Sequence, residues 1–370
     1  MISDFVTSAS SQKALGARTI RPIAASSLHG IAFWGESLLA IDSTSGYLLQ
    51  IDPLTDNTTI LNPYHWSDFV GATGLAIAGD TLWFTTRENV YFCSLDSLSS
   101  GDWKPELFVR LSYPANGVAV WGSTAYVTCQ KAGDILIFDR DTGKQITHLY
   151  APGIGVENIT VKGEELWVSD TIEQTVYCLD RATGRIIFSV LTPFPTPTGL
   201  AFYTDPETGK ETLYIAYADH EPYIRDNPNS DANHELQYRP HTFIHPLYFH
   251  YDAENHYALS NGYLVEMSYV EEISPLDPVT LKDLEWRIAL PANTQRQKVK
   301  KIEPVGLPFT EEIHEDGQRV AVFKFDTLTS EDRYVFGWKA LLEVWSIKYQ
   351  LTPRDCEAIP ALPPEFDRRY

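Results

Sequence analysis

Two sets of side chains in this sequence are of types that do chemistry. The first recurs at regular intervals. His29, Thr73, Asn116, Glu157 with Asn158, and Thr198 follow one another at steps of 44, 43, 41 and 41 residues. An imidazole, a carboxylate and amides gathered in one place would form a polar binding pocket. Glu157, Asn116, Asn158 and Asp170 together offer the hard oxygen donors that Ca²⁺ or Mg²⁺ prefers. The plainer reading is that these residues cap strand ends and bond neighbouring elements. The carboxylates do not recur from interval to interval, which favours that reading.

The second set is concentrated. His220, His234, His241, His245, His250 and His256 are six of the ten histidines. Imidazole suits zinc or copper, but structural zinc sites usually add cysteines or closely spaced histidine pairs. His241 and His245 would share a face only on a helix, and Pro240 and Pro246 argue against one. Aromatic residues interleave with the histidines, as on protein-contact surfaces. Tyr238, His241, Phe243 and His245 are therefore expected to be contact residues of an insertion at 219–246. The sequence has no Gly-x-Ser-x-Gly elbow, P-loop or dinucleotide fingerprint. No catalytic residue is assigned.

The elements that must position these groups are repeats. Segments starting at Gly30, Gly74, Gly117, Asn158 and Gly199 read as strands. In the first four, a second strand begins eight residues on, after a turn containing Gly35, Gly79, Gly122 or Gly163. A third strand ends 22 residues after each start, on Asp52, Asp96, Asp139 and Asp180. Four short strands in about 40–45 residues is the period of a propeller blade. The fifth repeat is interrupted by about thirty polar residues before Leu247–Asp252 resumes the strand-then-aspartate pattern, and a loop of that length is usually functional or mobile. Trp83 and Trp167 share one offset and are expected between blades. Trp34 and Trp121 share another, at the hairpin turn, and are expected to be partly exposed. The fold class is all-β: a β-propeller over 1–273, of five blades with six as the alternative. The N-terminal strand Thr19–Ile23 would close the ring or contribute to a sixth blade.

The period stops near residue 272. Segments starting at Leu284, Lys298, Arg319 and Leu341 mostly alternate apolar and polar residues, as half-buried antiparallel strands do. They predict a small β-sandwich over 279–352, followed by a Pro-rich tail or linker over 353–370.

The start-Ile/Val-Ala strand, followed by Leu166-Trp-Val and Tyr177-Cys-Leu-Asp, resembles the NHL and virginiamycin-lyase-like propellers across residues 30–252. Propellers host many functions, so this resemblance implies the fold alone. Residues 284–352 resemble the N-terminal β-sandwich that precedes the catalytic domain in bacterial transglutaminase-like proteins. The residues are Arg287-Ile-Ala-Leu-Pro-Ala-Asn-Thr-Gln-Arg-Gln-Lys-Val, the later Gly317-Gln-Arg-Val-Ala-Val-Phe, and Val344-Trp-Ser-Ile-Lys-Tyr. The resemblance implies an accessory region whose following domain carries a Cys/His/Asp triad. Cys356 has no His or Asp segment behind it, so the nucleophile is not assigned to it.

With 29 basic and 49 acidic residues the net charge is −20, which disfavours nucleic-acid and anionic-membrane partners. No stretch approaches the roughly 20 apolar residues of a bilayer span, so no membrane insertion is expected. Cys93, Cys129, Cys178 and Cys356 show no paired spacing and read as reduced thiols of a cytoplasmic protein. The expected function is a non-catalytic binding or scaffold region whose partner is a protein or a following catalytic domain. The alternative is a metal-dependent propeller hydrolase or lyase acting on a small molecule at the central channel, with Ca²⁺ or Mg²⁺ there.

Overall fold

The computed structural model describes residues 18–97, 103–223, 237–273, 280–315 and 317–351. Nearly all regular structure in it is β. Contacts divide the chain into two units, 1–258 with 348–370, and 259–347.

In the first unit each repeat folds as one antiparallel sheet. Blade one is β1 (Leu28–Trp34), β2 (Ser37–Asp42), β3 (Tyr47–Ile51) and β4 (Thr58–Ile60). Blade two is β5 (Ala72–Ala78), β6 (Thr81–Thr86), β7 (Asn89–Ser94) and β8 (Glu106–Arg110). Blade three is β9 (Gly117–Trp121), β10 (Thr124–Cys129), β11 (Asp134–Asp139) and β12 (Gln145–Tyr150). Blade four is β13 (Val156–Lys162), β14 (Glu165–Asp170), β15 (Thr175–Asp180) and β16 (Ile186–Leu191). Blade five is β17 (Pro197–Thr204), β18 (Glu211–Tyr223) and β19 (Gln237–Leu247). Its fourth position is taken by the N-terminus: Ile20 exchanges both backbone hydrogen bonds with Ile244 of β19. The ring therefore closes with five blades, and the N-terminal segment completes the last one.

The innermost strands β1, β5, β9, β13 and β17 neighbour one another in that order, with β17 returning to β1. They enclose a channel of about 210 Å³, lined by Ile31, Leu75, Ala119, Ile159 and Ala201 and their neighbours. Between blades the inward faces make apolar layers. Trp83 and Trp167 are 4 % and 2 % exposed, whereas Trp34 and Trp121 are 41 % and 46 % exposed. The first hairpin of each of the first four blades turns at Gly35, Gly79, Gly122 and Gly163, all with φ between 57° and 62°. A positive φ at the first central position lets a two-residue turn follow the strand twist.

The interrupted fifth repeat differs from the sequence expectation. Residues 211–223 and 237–247 pair continuously, from Leu213↔Leu247 to Tyr223↔Gln237. Residues 218–223 and 237–246 of the polar segment thus extend the second and third strands, and 224–236 lie outside the described residues. Leu247–Asp252 is not the third strand. Its β20 (Phe249–Asp252) instead hairpins with β21 (Tyr257–Ile273).

Aspartates open five equivalent turns. Asp139 Oδ1 accepts from Thr142 N and Oγ1 at 2.8 and 2.6 Å, and Asp180 does the same with Thr183. Asp52, Asp205 and Asp252 bond the residues two and three positions on. Asp96 instead begins a helical turn. These hydrogen bonds hold the carboxyls of Asp52, Asp139, Asp180, Asp205 and Asp252 below the usual aspartate range. A pKa lowered on folding gives stability above the unfolded value and loses it as pH falls through the folded one. The urea midpoint is therefore expected to drop as pH is lowered below about 4. The combined Asp139→Asn and Asp180→Asn variant should show a shallower drop; an unchanged acid limb would refute the linkage.

The three cysteines among the described residues are free and buried. Burial raises all three thiols, that of Cys93 to about 12.

In the second unit, β21 from Leu259, β26 (Tyr334–Tyr349) up to Ile347, and β23 (Gln297–Val305) form one sheet in that order. A second sheet runs β22 (Leu281–Ala289), β25 (Arg319–Leu328), β24 (Thr310–Ile313). Ile288, Ala321, Phe323 and Phe325 from one sheet meet Phe336, Trp338, Ala340 and Leu342 from the other, making a sandwich core.

Candidate functional site

The mouth of the channel is built where the innermost strands begin. Each start residue needs its backbone amide satisfied in a crowded centre, and a hydroxyl eleven positions on does this. Thr85, Thr128 and Ser169 accept from the N–H of Gly74, Gly117 and Asn158 at 2.7, 2.7 and 3.0 Å. Two of these hydroxyls then donate onward to the next blade: Thr85 to Asn116 O at 3.0 Å, and Thr128 to Glu157 O at 2.6 Å. Thr73 Oγ1 donates to Asn116 O at 2.6 Å, and Thr198 Oγ1 to Leu28 O at 2.6 Å. The sequence signal for these residues is a hydroxyl recurring at offset eleven, one position before the end of each second strand in blades two to four.

Three of the expected pocket residues come together. Asn116 Nδ2 donates to Glu157 Oε2 at 3.0 Å, and His29 Nδ1 stands 3.5 Å from Glu157 Oε1. Glu157 is 8 % exposed. Asn158 is buried beside it, its Nδ2 donating to Thr73 O at 2.9 Å. Asp170 is fully buried and points elsewhere. Its oxygens accept from the backbone N–H groups of Gly155, Ile172 and Glu173 at 2.8, 3.0 and 2.8 Å. Asp42, at the same strand end in blade one, takes the N–H groups of Ser26 and Ser27 in the same way.

These contacts do not bring the side-chain oxygens of Asn116, Glu157, Asn158 and Asp170 to one point. Asn116 Oδ1 already accepts from Gln130 N at 3.1 Å, and Asn158 Oδ1 from Ile159 N at 2.9 Å. Asn116 turns its amide nitrogen, not its oxygen, toward Glu157. Asp170 is spent on loop amides. A hard cation needs several oxygens converging on one point, whereas Asn116, Asn158 and Asp170 turn their oxygens onto backbone amides. Among the described residues no three His, Cys, Asp or Glu side chains are grouped to hold a metal.

Asp170→Ala would leave three buried or half-buried amides without an acceptor. An unsatisfied buried donor costs about 1–3 kcal/mol. We expect the urea midpoint of Asp170→Ala to fall by a corresponding amount, with Asp170→Asn intermediate. A midpoint equal to that of the parent would mean that the loop amides find water.

The β18–β19 ribbon continues past Tyr217, the position at which β17 begins. It therefore rises from the channel-mouth end of the propeller, and Leu28 N donates to Thr242 Oγ1 at its base. Asp219 faces His241 and Glu221 faces Arg239 across the ribbon. Arg239 and Glu221 form an ion pair, and His241 Nδ1 lies 3.8 Å from Glu221 Oε2. Tyr238 is 63 % exposed. The expected contact set splits here. Tyr238 and His241 are accessible. Phe243 is not: it is buried, stacks on Tyr217 and meets Phe194 edge-on, so it is core. His245 is half-buried against Phe194, its Nδ1 2.6 Å from Pro246 O, and burial lowers its pKa. His234 lies outside the described residues.

No protein-family model matches the chain, and no curated protein matches it. Similar solved structures include glutaminyl cyclase from Myxococcus xanthus, 15 % identical over 54 % of this chain and 88 % of that one, TM-score 0.41. Regucalcin, a calcium-binding protein from Agrobacterium tumefaciens, is 18 % identical over 59 % and 74 %, TM-score 0.36. Streptogramin B lyase is 13 % identical over 54 % and 65 %, TM-score 0.36. These are β-propeller proteins. The propeller assignment itself rests on the five sheets and their closed order. Among the described residues, no helix is long and apolar enough to cross a membrane.

Proposed function

We propose that this chain is a non-catalytic binding module whose partner, a protein, meets the channel-mouth end of the propeller and the β18–β19 ribbon. The observation that carries this reading is how the mouth spends its polar groups. Thr73, Thr85, Thr128, Thr198 and Asn116 bond backbone or side chains of neighbouring blades, and Asn158 of blade four bonds Thr73 O of blade two. That wiring makes a rigid platform and, among the described residues, leaves no nucleophile beside a base. The ribbon supplies what a partner could grip, an exposed tyrosine beside paired and exposed charges. Aromatic residues and arginine are enriched where protein interfaces form. The resemblance of residues 284–352 to the N-terminal sandwich of bacterial transglutaminase-like proteins supports reading the module as an accessory region to a catalytic domain, in the cytoplasm.

The test is a cross-linked pull-down with the full chain as bait, against a bait carrying Tyr238→Ala and His241→Ala. The reading expects a partner retained by the parent and lost by the variant. Equal retention by both baits would remove the ribbon from the interface. A hydrolase or lyase acting on a small molecule is the second reading, favoured by the Glu157–His29 approach at 3.5 Å, a pair that could pass a proton. Turnover of lactone or ester substrates that is lost in Glu157→Gln would establish it and displace the first.

A further inference from the structure

The central channel is not a uniform tube. At the mouth end the innermost strands touch backbone to backbone. A Cβ on Gly74 would sit 2.8 Å from Gly117 Cα, and one on Gly117 would sit 2.7 Å from Asn158 Cα. None of the five strand starts lines the cavity of about 210 Å³. The cavity lies further along the strands. Trp121, at the first hairpin of blade three, is part of its lining and is 46 % exposed. The cavity therefore narrows toward the mouth and opens at the opposite end of the propeller.

Register decides which backbone groups face inward. Each innermost strand is the edge of its sheet. Trp34↔Ser37, Ala78↔Thr81, Trp121↔Thr124 and Lys162↔Glu165 flank two-residue turns. Such flanking pairs are hydrogen-bonded, and the pairs one residue back are not. Phe33, Ile77, Val120 and Val161 therefore turn their N–H and C=O away from the second strand, into the channel. Ile31, Leu75 and Ile159, two residues earlier, do the same. All of these residues line the cavity. Its wall thus offers backbone donors and acceptors side by side.

These walls select the occupant. None of the lining residues is charged. Lys162, next along β13, is taken up by Glu211 at 2.6 Å. An ion would find no counter-charge, so the ligand is neutral. A cavity of about 150 Å³ accepts benzene, so this one accepts a single ring with small substituents. A purely apolar ring would displace water from the backbone groups and leave them unpaired, which is costly. A cyclic amide carries an N–H beside a C=O, the complement of a strand residue's own edge, and its flat ring can stack on an indole. Thr160 adds a hydroxyl where the other four strands have Ala32, Ala76, Ala119 and Ala201. That hydroxyl has no hydrogen-bond partner among the described residues. We propose that the cavity binds a neutral single-ring cyclic amide, its ring against Trp121 and its N–H and C=O on the inward backbone groups and Thr160. This site lies away from the mouth and the ribbon and stands without the interface proposed above.

The probe is uracil, titrated into the full chain and followed by saturation-transfer NMR, beside 1,3-dimethyluracil, toluene and glucose. The site predicts saturable uracil binding. Dimethyluracil keeps the ring but lacks both N–H donors, and should bind at least about threefold more weakly. Trp121→Ala should weaken uracil binding by at least about fivefold, and Thr160→Ala by about threefold. Both variants should keep the parent melting temperature, because Trp121 is half exposed and alanine is what the other blades carry at the position of Thr160. Trp34→Ala, at the equivalent position of blade one but outside the lining, should leave binding unchanged. No saturable binding overturns the inference. So does toluene, glucose or dimethyluracil binding as tightly as uracil. Equal effects of Trp34→Ala and Trp121→Ala also overturn it, by taking the ligand out of the cavity.

Discussion

Replacing Trp167 with alanine should destabilise the propeller by about 3–5 kcal/mol, the usual cost of truncating a buried aromatic side chain. The indole is 2 % exposed and stands between the fourth and fifth blades. It meets Phe188, Phe202 and Phe249 at 5.5, 5.3 and 5.3 Å between centroids, and its Nε1 donates to Glu165 Oε2 at 2.9 Å. Each aromatic pair adds about 0.5–1.5 kcal/mol beyond area alone. The rings come from β14, β16, β17 and β20, so no single blade can relax to fill the void. Calorimetry should show a fall of roughly 10 °C for a unit of this size. Trp34→Ala is the control. Its indole is 41 % exposed, and surface substitutions usually stay within about 0.5 kcal/mol. Equal melting shifts for the two variants would contradict the assignment of Trp167 to the layer between blades.

The repeat was legible because propeller geometry imposes the same local needs on each blade. A two-residue turn needs a positive φ, which is why Gly35, Gly79, Gly122 and Gly163 recur. The third strand ends where an aspartate can take the next amides, which is why Asp52, Asp139 and Asp180 recur. Ring closure was legible only as an alternative. Ile20 and Ile244 are far apart in sequence, and a single bridge leaves no periodic mark.

The ribbon was not legible because Pro222, Pro240 and its polar residues imitate a loop. Both prolines are tolerated because a ribbon two strands wide consists of edges, where a missing N–H need break no ladder bond. The site was legible in its members and not in their orientations. Sequence position put Asn116, Glu157, Asn158 and Asp170 at strand ends. It did not show that Asp170 turns back onto Gly155, or that Asn116 offers nitrogen rather than oxygen to Glu157. Those choices are made by backbone amides that need acceptors. Phe243 was misplaced for a related reason. An aromatic residue alternating with histidines looks like a contact loop until Tyr217 is set opposite it.

The glycines at strand starts serve a purpose that periodicity alone hides, and Gly117→Val should expose it at a cost of about 3 kcal/mol, the upper range for overpacking. Gly117 does not have a positive φ. Its constraint is the neighbouring blade. A Cβ there would sit 2.7 Å from Asn158 Cα and 2.8 Å from Glu157 O, both backbone atoms that cannot swing aside. Gly74 meets Gly117 Cα in the same way, at 2.8 Å. Five innermost strands crowd a narrow centre, and each start must pass under the next. The clash pushes on the Glu157 backbone, so Gly117→Val should also move Glu157 away from His29. The NMR chemical shifts of the His29 ring would report this alongside the melting temperature. Gly122→Ala separates the two roles of glycine. There φ is +57° with open space around the missing Cβ, and only the backbone penalty of about 1 kcal/mol applies. If Gly117→Val were as mild as Gly122→Ala, the strands could not be packed as closely as a five-bladed ring demands.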